Sequence, residues 1–318
     1  MALIVELTLQ SVQMLLVLLL APLVLGVTRK VKARLLRRIG PSVLQPYRDL
    51  WKLLHKEAVI ARNASWLYRS APYFIFAVTW VAAALVPTYA TGLLFSWSAD
   101  LIALVALLGT ARFALALAGM DVGTSFGGIG SSREMMIASL AEPAMLLVVF
   151  TVALIAGTTQ LSTAANLFSQ FSVGLRVSLG LAMFAFIFVA IAENARIPID
   201  NPATHLELTM VHEAMVLEYS GRHLAMIEAA AALKLLLYFS LIVCLFVPFG
   251  IATAGKGGGA LLLGIGSYLA KVLLLSALLP IGETTVAKMR VFRYPIFLGG
   301  AFAAAALAVF LLFVSRGF

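Results

Sequence analysis

The densest group of ionisable side chains in this sequence lies in residues 193–221, which read ENARIPIDNPATHLELTMVHEAMVLEYSG. This stretch contains five of the chain's fourteen acidic residues, two of its four histidines and two of its eleven prolines. It stands out because 62% of the whole chain is hydrophobic. Carboxyl and imidazole groups in such a stretch could bind a metal ion, or they could exchange protons near neutral pH.

The spacing of these residues argues against a metal site. His212 and Glu213 begin an HExxH zinc motif, but position 216 is valine, so the second histidine ligand is missing. On a helix, His205 and His212 would stand two turns apart, roughly 10 Å by helical rise, which is too far to bind one ion. The single cysteine, Cys244, cannot form an internal disulfide or a four-cysteine metal site. We therefore expect no metal in this chain.

Proton transfer is the chemistry that these residues favour. Ionisable side chains inside a bilayer are costly, and by default they face a bundle interior or a wet cavity. An apolar setting raises the proton affinity of a carboxyl group and a nearby cation lowers it, so such groups can exchange protons near neutral pH. The predicted proton path consists of Arg112, Asp121, Glu142, Glu193, Asp200, Glu207, Glu213, Glu218, Glu228, Lys234 and Lys271.

The alternative is that these charges form static ion pairs that hold helices together. Glu142 is the only ionisable residue between positions 135 and 157, and Arg112 on the preceding apolar segment is its nearest candidate partner in sequence. Glu193 and Arg196 would lie one turn apart if the helix continues through them, close enough to pair. Both interpretations remain open from the residues alone.

Long apolar segments must position these side chains. Only 12% of the residues are charged and the mean hydropathy is +1.03, whereas a soluble domain is about a quarter charged. Each apolar run is close to the 20 residues that a bilayer requires. The predicted spans are roughly residues 5–28, 70–90, 98–119, 135–157, 172–192, 223–248, 260–282 and 294–315. The sequence thus predicts an all-α integral membrane protein, a single polytopic domain over residues 1–318.

The distribution of basic residues predicts the orientation of these spans. Eleven of the 23 Lys and Arg residues lie in residues 29–69. With both termini on the outer, periplasmic side, the inner segments carry seventeen basic residues and the outer segments carry two. This bias follows the positive-inside rule, and it explains the net charge of +9 by anionic lipid neighbours rather than by nucleic acid.

Two cytoplasmic loops, residues 29–69 and 193–222, are predicted to form a docking surface. In the first loop, Pro46 suits the first turn of an amphipathic helix, which could lie on the lipid surface or equally well against a soluble partner. In the second, prolines are expected to leave residues 197–203 extended, and a capping box at Thr204 is expected to start a helix over 205–220 that ends at Gly221. The predicted docking residues are Arg48, Asp49, Lys52, Lys56, Arg196, His205 and His212.

Both loops also resemble a known family. Glu193, Arg196, Pro198 and the EYSG sequence at 218–221 resemble the membrane subunit of respiratory complex I that joins the peripheral arm to the membrane arm and helps to form the quinone chamber. RIGPSVLQPYRDLWKLLHKE, residues 38–57, resembles the first cytoplasmic loop of that subunit. The stretch from 195 to 225 and ETTVAKMRVFR, residues 283–293, are more similar to the branch found in formate hydrogenlyase and energy-converting [NiFe] hydrogenases.

This resemblance implies a function and a set of partners. The chain would be a cofactor-free proton-translocation and coupling subunit in a prokaryotic inner membrane. It would anchor hydrogenase-type large and small subunits and a ferredoxin-like iron–sulfur subunit, which would hold the iron–sulfur clusters and the [NiFe] centre. Antiporter-like membrane subunits would be further partners. Two alternatives remain, namely a quinone-site subunit of a complex I-like quinone oxidoreductase and a passive membrane anchor.

Overall fold

The computed structural model describes residues 2–170, 177–200, 211–253, 257–287, 289 and 293–316, and these residues are mostly helical. The helices are α1 (Ala2–Leu35), α2 (Gln45–Leu54), α3 (Trp66–Leu85), α4 (Leu101–Asp121), α5 (Ser125–Ala156), α6 (Leu161–Gln170), α7 (Val177–Glu193), α8 (His212–Val216), α9 (Gly221–Phe246), α10 (Gly258–Thr285) and α11 (Tyr294–Arg316). Two short strands, β1 (Ala90–Thr91) and β2 (Ala252–Thr253), pair in parallel.

Six of the helices in the described part of the chain are long and apolar enough to cross a membrane. They are α1, α4, α5, α9, α10 and α11. The two remaining predicted spans fall at α3, which has 20 residues, and at α7, an apolar helix of 17 residues. The structure is therefore that of a helical membrane protein, as the composition predicts.

Helix α9 is the most deeply buried of the six candidate spans. Its residues from Leu235 to Leu245 are all buried, because α1, α2, α3 and α10 surround it. On one side of the bundle, α11 packs against α5 and α7, and α4 packs between α3 and α5. Small residues allow the closest approach, since a Cβ on Gly127 would lie 2.0 Å from the carbonyl oxygen of Gly119.

Helix α5 begins ten residues earlier than the sequence predicts. The hydroxyl group of Thr124 accepts from the amide of Gly127 and so caps the new helix. The apolar run alone suggests a start near residue 135, because the glycines and serines before it are weak helix formers. As a result, Glu134 lies within a helix rather than in a loop.

The opening acidic stretch also departs from its predicted structure. Helix α7 ends at Glu193, and Ala195 takes a positive φ of 48°. The amide of Ile199 donates to the carbonyl of Arg196 at 2.9 Å, so the described part of residues 197–203 is a turn and not extended. Among the described residues of the predicted 205–220 helix, only those of α8 are helical. Gly221 starts α9 instead of ending the predicted helix. Thr204 lies outside the described residues.

The first of the two predicted cytoplasmic loops contains the predicted amphipathic helix. Helix α2 has Pro46 in its first turn and packs on α1 and α9. Its Trp51 side chain projects outward and is 68% exposed. The loop crosses α1 closely at Gly26, where an added Cβ would lie 1.9 Å from the carbonyl oxygen of Val43. Gly26 therefore permits this crossing.

Candidate functional site

A buried arginine is at the centre of the ionisable side chains. The Nη1 atom of Arg112 donates to Glu142 Oε1 at 3.0 Å, and its Nη2 atom donates to Glu193. The Nε atom of Arg112 lies 3.7 Å from Glu134 Oε1, and the ammonium group of Lys234 lies 3.0 Å from Glu193 Oε2. We call these five residues the Arg112 cluster.

Four helices bring the Arg112 cluster together. Arg112 lies on α4 and Lys234 on α9, while Glu193 is the last residue of α7. Helix α5 supplies both Glu134 and Glu142, because its early start places Glu134 inside the bundle. The side chains of Arg112 and Glu193 are only 4% and 3% exposed, whereas that of Glu142 is 44% exposed.

The charges of the Arg112 cluster do not balance when all its members are ionised. Three carboxylates face two cations, so one carboxylate has no formal counter-charge of its own. Removing charges from water is expensive unless they are paired. The cluster can therefore take up one proton without leaving a cation unpaired, and this capacity is what a proton-storage site requires.

A small cavity of about 80 Å³ adjoins the Arg112 cluster. It is lined by Arg112, Glu134, Glu193 and Lys234, together with Thr79 and His212 among others. Arg112 Nε is buried without a hydrogen bond among the described residues, and Glu193 Oε2 meets Lys234 without hydrogen-bonding geometry. Such atoms and such a volume suit bound water. We call this space the inner cavity.

A larger cavity of about 490 Å³ lies between α1, α2, α8 and α9. One part of its wall is apolar and includes Pro22, Leu25 and Leu50. The charged side chains in its wall are Arg29, Lys32, Arg196, Asp200, Glu213 and Glu228. We call this space the outer cavity. Its wall includes residues of both loops that the sequence predicts to be cytoplasmic.

A second set of ion pairs lies at the segment that follows α7. This segment lines both cavities through Asn194 and Ala195. Lys32 Nζ lies 2.6 Å from Glu283 Oε2, and Arg196 Nη1 lies 3.5 Å from Glu283 Oε1. Burial lowers the pKa of the Arg196 guanidinium, and the adjacent Glu283 opposes this shift. The predicted pair between Glu193 and Arg196 is therefore wrong. Because α7 ends at Glu193, the two side chains turn to different partners.

The comparisons with known proteins agree with this architecture. The family model described as NADH dehydrogenase matches residues 9–314. The chain belongs to the NADH dehydrogenase family. The membrane-bound sulfane sulfur reductase, an archaeal respiratory membrane complex, contains a chain with the same fold, at a TM-score of 0.80 and 20% identity, covering 95% of this chain and 99% of that one.

Within the NADH dehydrogenase family, hydrogenase components are strongly similar to this chain. It is 35% identical over 278 residues to hydrogenase-4 component C of Escherichia coli K12, covering 87% of each protein. It is 33% identical over 279 residues to formate hydrogenlyase subunit 4 of the same organism, covering 88% of this chain and 90% of that protein. A component of the NADH-quinone oxidoreductase of Syntrophotalea carbinolica is 30% identical over 273 residues, covering 81% of this chain and 79% of that protein. The predicted resemblance is confirmed.

Three of the predicted proton-path residues lie apart from the Arg112 cluster and from both cavities. Lys271 donates from its ammonium group to the carbonyls of Val247 and Phe249, where it complements the C-terminal end of α9. Asp121 accepts from the amide of Ser65 at 2.9 Å and lies at the end of α4, nine residues after Arg112. Glu218 is exposed in the turn after α8.

The remaining predicted site residues lie in the two loops that the sequence predicts to be cytoplasmic. Arg48, Lys52 and Lys56 are exposed on or just after α2, while Asp49 accepts from Gln45 at 2.8 Å. Arg29 lies 4.0 Å from the same Asp49 carboxylate. His205 and Glu207 lie outside the described residues.

Two acidic residues of the site are absent from the residues that the sequence predicts. Glu134 precedes the apolar run of α5 and so reads as a loop residue, and the feature that could have revealed it is the threonine cap at position 124. Glu283 is visible in the sequence only as the first residue of a motif. Its side chain is 1% exposed, and its position near the end of an apolar run could have suggested a buried partner for a cation.

Proposed function

We propose that this chain is the proton-translocation and coupling membrane subunit that anchors a hydrogenase-type peripheral arm in a complex I-like respiratory or formate hydrogenlyase complex. The observation that supports the proposal best is the Arg112 cluster, with its excess carboxylate. The similarity of the chain to components of hydrogenase-4 and formate hydrogenlyase supports the hydrogenase-type partner.

Protons would enter from the cytoplasmic loops and reach the centre of the bundle. Glu213 and Glu228 line the outer cavity, and Glu193 and Glu134 line the inner cavity behind it. Glu142 would be the last carboxyl of the route, because its side chain is the most exposed of the Arg112 cluster. A change in the peripheral arm would alter the electrostatics at the loops and so the protonation of the cluster.

The proposed topology has eight spans. Helices α3 and α7 would join the six helices that are long and apolar enough to cross a membrane. Both termini would be periplasmic. The excess of seventeen basic residues over two supports this orientation in a prokaryotic inner membrane.

The proposed assembly places the redox centres outside this chain. Hydrogenase-type large and small subunits and a ferredoxin-like subunit would hold the [NiFe] centre and the iron–sulfur clusters, and antiporter-like subunits would continue the membrane arm. The single cysteine supports a cofactor-free role for this chain.

Glu142→Gln tests proton conduction. The amide keeps the size and the hydrogen-bonding capacity of the carboxyl group but cannot titrate. We expect the complex to assemble and redox-driven proton uptake into membrane vesicles to be lost. Proton movement is measured with a pH-sensitive dye and normalised to the hydrogenase activity of the same vesicles. Glu6→Gln is the matched control, because it is also a carboxyl-to-amide change and Glu6 is exposed near the start of α1, outside the Arg112 cluster.

Two outcomes would contradict the proton-conducting role of Glu142. Wild-type proton movement in an assembled Glu142→Gln complex would show that the residue relays no proton. Failure of the Glu142→Gln complex to assemble would indicate a purely structural ion pair, as in a passive anchor.

A quinone-site subunit is the second candidate, and the outer cavity favours it. At about 490 Å³ with a partly apolar wall, this cavity is within the range of small-molecule sites. Saturable inhibition of redox activity by quinone-site inhibitors, together with bound quinone in the purified complex, would support this candidate. Turnover that is insensitive to them would support the hydrogenase-type role.

A further inference from the structure

Of the residues that the structure describes, five line both the inner and the outer cavity. They are Asn194, Ala195, His212, Ile227 and Ala231. Three of them are apolar, and Asn194 carries an amide that donates to the carbonyl of Ala190 at 2.8 Å. His212 is the one member of this shared wall whose side chain can take up and release a proton.

We propose that His212 is the proton relay between the outer and the inner cavity. This inference rests on the proposed proton-conducting function and assigns one of its steps. A proton from a carboxyl group or water of the outer cavity binds one imidazole nitrogen. The other nitrogen then releases its proton to a water or carboxylate of the inner cavity, so that no charge accumulates on the ring. Imidazole is suited to such transfer because it gains and loses protons near neutral pH.

Close packing holds His212 at this position. The residue before it, Val211, donates its amide to Asp200 Oδ2 at 3.2 Å. Helix α8 then sits against two glycines of neighbouring helices. A Cβ on Gly119 would lie 3.1 Å from Met215, and one on Gly130 would lie 2.9 Å from the carbonyl oxygen of Val211. A proton relay requires such fixed geometry, because transfer depends on hydrogen-bond distance.

The surroundings of His212 supply proton donors and acceptors on both sides. Glu213 and Glu228 line the outer cavity together with His212. Glu134 and Glu193 line the inner cavity together with it. The sequence alone places His212 in the docking surface. Its partial burial at the wall between two cavities that each contain carboxyl groups assigns it a place in the proton path instead.

His212→Ala in the intact complex, in inverted membrane vesicles, tests the relay. We expect the rate of redox-driven proton movement to fall by about 100-fold, the lower end of what a positioned proton-transfer group contributes to a rate. Free imidazole should restore it in a concentration-dependent way, because the shortened side chain opens space next to the outer cavity. A purely structural histidine would show no such rescue. His55→Ala, at the exposed end of α2, controls for the loss of an imidazole elsewhere.

The Glu142→Gln complex separates failure of the relay from failure of the proposed function. Added imidazole should not restore proton movement in that variant, because it cannot replace the lost carboxyl group. If Glu142→Gln abolishes proton movement while His212→Ala stays within about twofold of wild type, the relay is overturned and the proposed function stands. If neither variant changes proton movement, both are overturned. Loss in His212→Ala that imidazole does not rescue also overturns the relay.

Discussion

Arg112 is the residue on which the charge balance of the site depends, since it contacts Glu134, Glu142 and Glu193. An ionised carboxylate in an apolar span requires a counter-charge, so Glu142 in α5 leads directly to Arg112 in α4. The observed separation of 3.0 Å confirms that pairing. The sequence could not show that Glu193 binds the same guanidinium, because the end of α7 depends on the turn that follows it.

Arg112→Gln should destabilise the protein severely. The substitution leaves Glu134 and Glu193 buried with Lys234 as the only nearby cation of the cluster. Breaking a buried pair by removing one partner costs about 3–5 kcal/mol. We expect the purified complex to have a lower thermal unfolding midpoint in detergent or to assemble poorly.

A second substitution checks that the Arg112 effect is electrostatic. In the double variant Arg112→Gln with Glu134→Gln, the carboxylate that Arg112→Gln leaves without a cation is removed, whereas Glu193 keeps Lys234, so part of the lost stability should return. An unfolding midpoint for Arg112→Gln equal to that of the wild type would be evidence against a buried ionised cluster. A double variant no more stable than Arg112→Gln would indicate that packing, not charge, causes the loss.

At the scale of elements, the helices of the bundle were predictable but their ends were not. Hydropathy locates an apolar run, yet the ends of α5 and α8 depend on caps and on neighbouring backbone. The early start of α5 requires Gly127 to fit against the carbonyl oxygen of Gly119, and α8 fits against Gly130. These are contacts between distant segments, and a single sequence contains no direct record of them.

Gly26→Ala tests one such contact. The added methyl group would meet the carbonyl oxygen of Val43, a backbone atom that cannot move without displacing the loop before α2. Overpacking of this kind costs typically about 1–3 kcal/mol. We expect a lower thermal unfolding midpoint of the purified complex and increased protease cleavage between α1 and α2.

Gly180→Ala is the matched control for Gly26→Ala. Gly180 also lies within a helix, but an added Cβ has no neighbour within 4 Å. Alanine is favoured over glycine inside a helix by roughly 0.5–1 kcal/mol, so this change should leave the midpoint unchanged or raise it. Equal effects of the two substitutions would mean that the crossing at Gly26 is not tight.

At the scale of the whole molecule, the two loops that the sequence predicts to be cytoplasmic form one surface. The hydroxyl group of Ser220 accepts from the amide of Val59 and donates to its carbonyl oxygen, both at 2.8 Å. Gly221 lies against the backbone of Glu57, where an added Cβ would be 2.7 Å from the carbonyl oxygen. The distribution of Lys and Arg residues predicts that the two loops lie on the same side of the membrane. The contacts of Ser220 and Gly221 explain how the end of the first loop is fixed to the start of α9.

The exposed face of α2 is the part of this surface that we expect to bind the peripheral arm. Arg48 and Lys52 are exposed beside Trp51, so α2 presents two cations and an aromatic side chain outside the bundle. A lipid surface would also attract these cations. A charge reversal on α2 distinguishes the lipid surface from the peripheral arm as the partner. If α2 binds only lipid, the reversal should have little effect on the retention of the soluble subunits.

Reversing both charges, Arg48→Glu with Lys52→Glu, should weaken the attachment of the peripheral arm and leave membrane insertion intact. Like charges at an interface suppress association, and screening makes this effect depend on salt. Co-purification of the hydrogenase subunits with a tagged membrane subunit measures it at low and high ionic strength. The charge-preserving variant Arg48→Lys with Lys52→Arg should retain the arm. Full retention of the arm by the reversed variant at both ionic strengths would leave α2 as a helix of the lipid surface, and the docking role would pass to the loop that precedes α9.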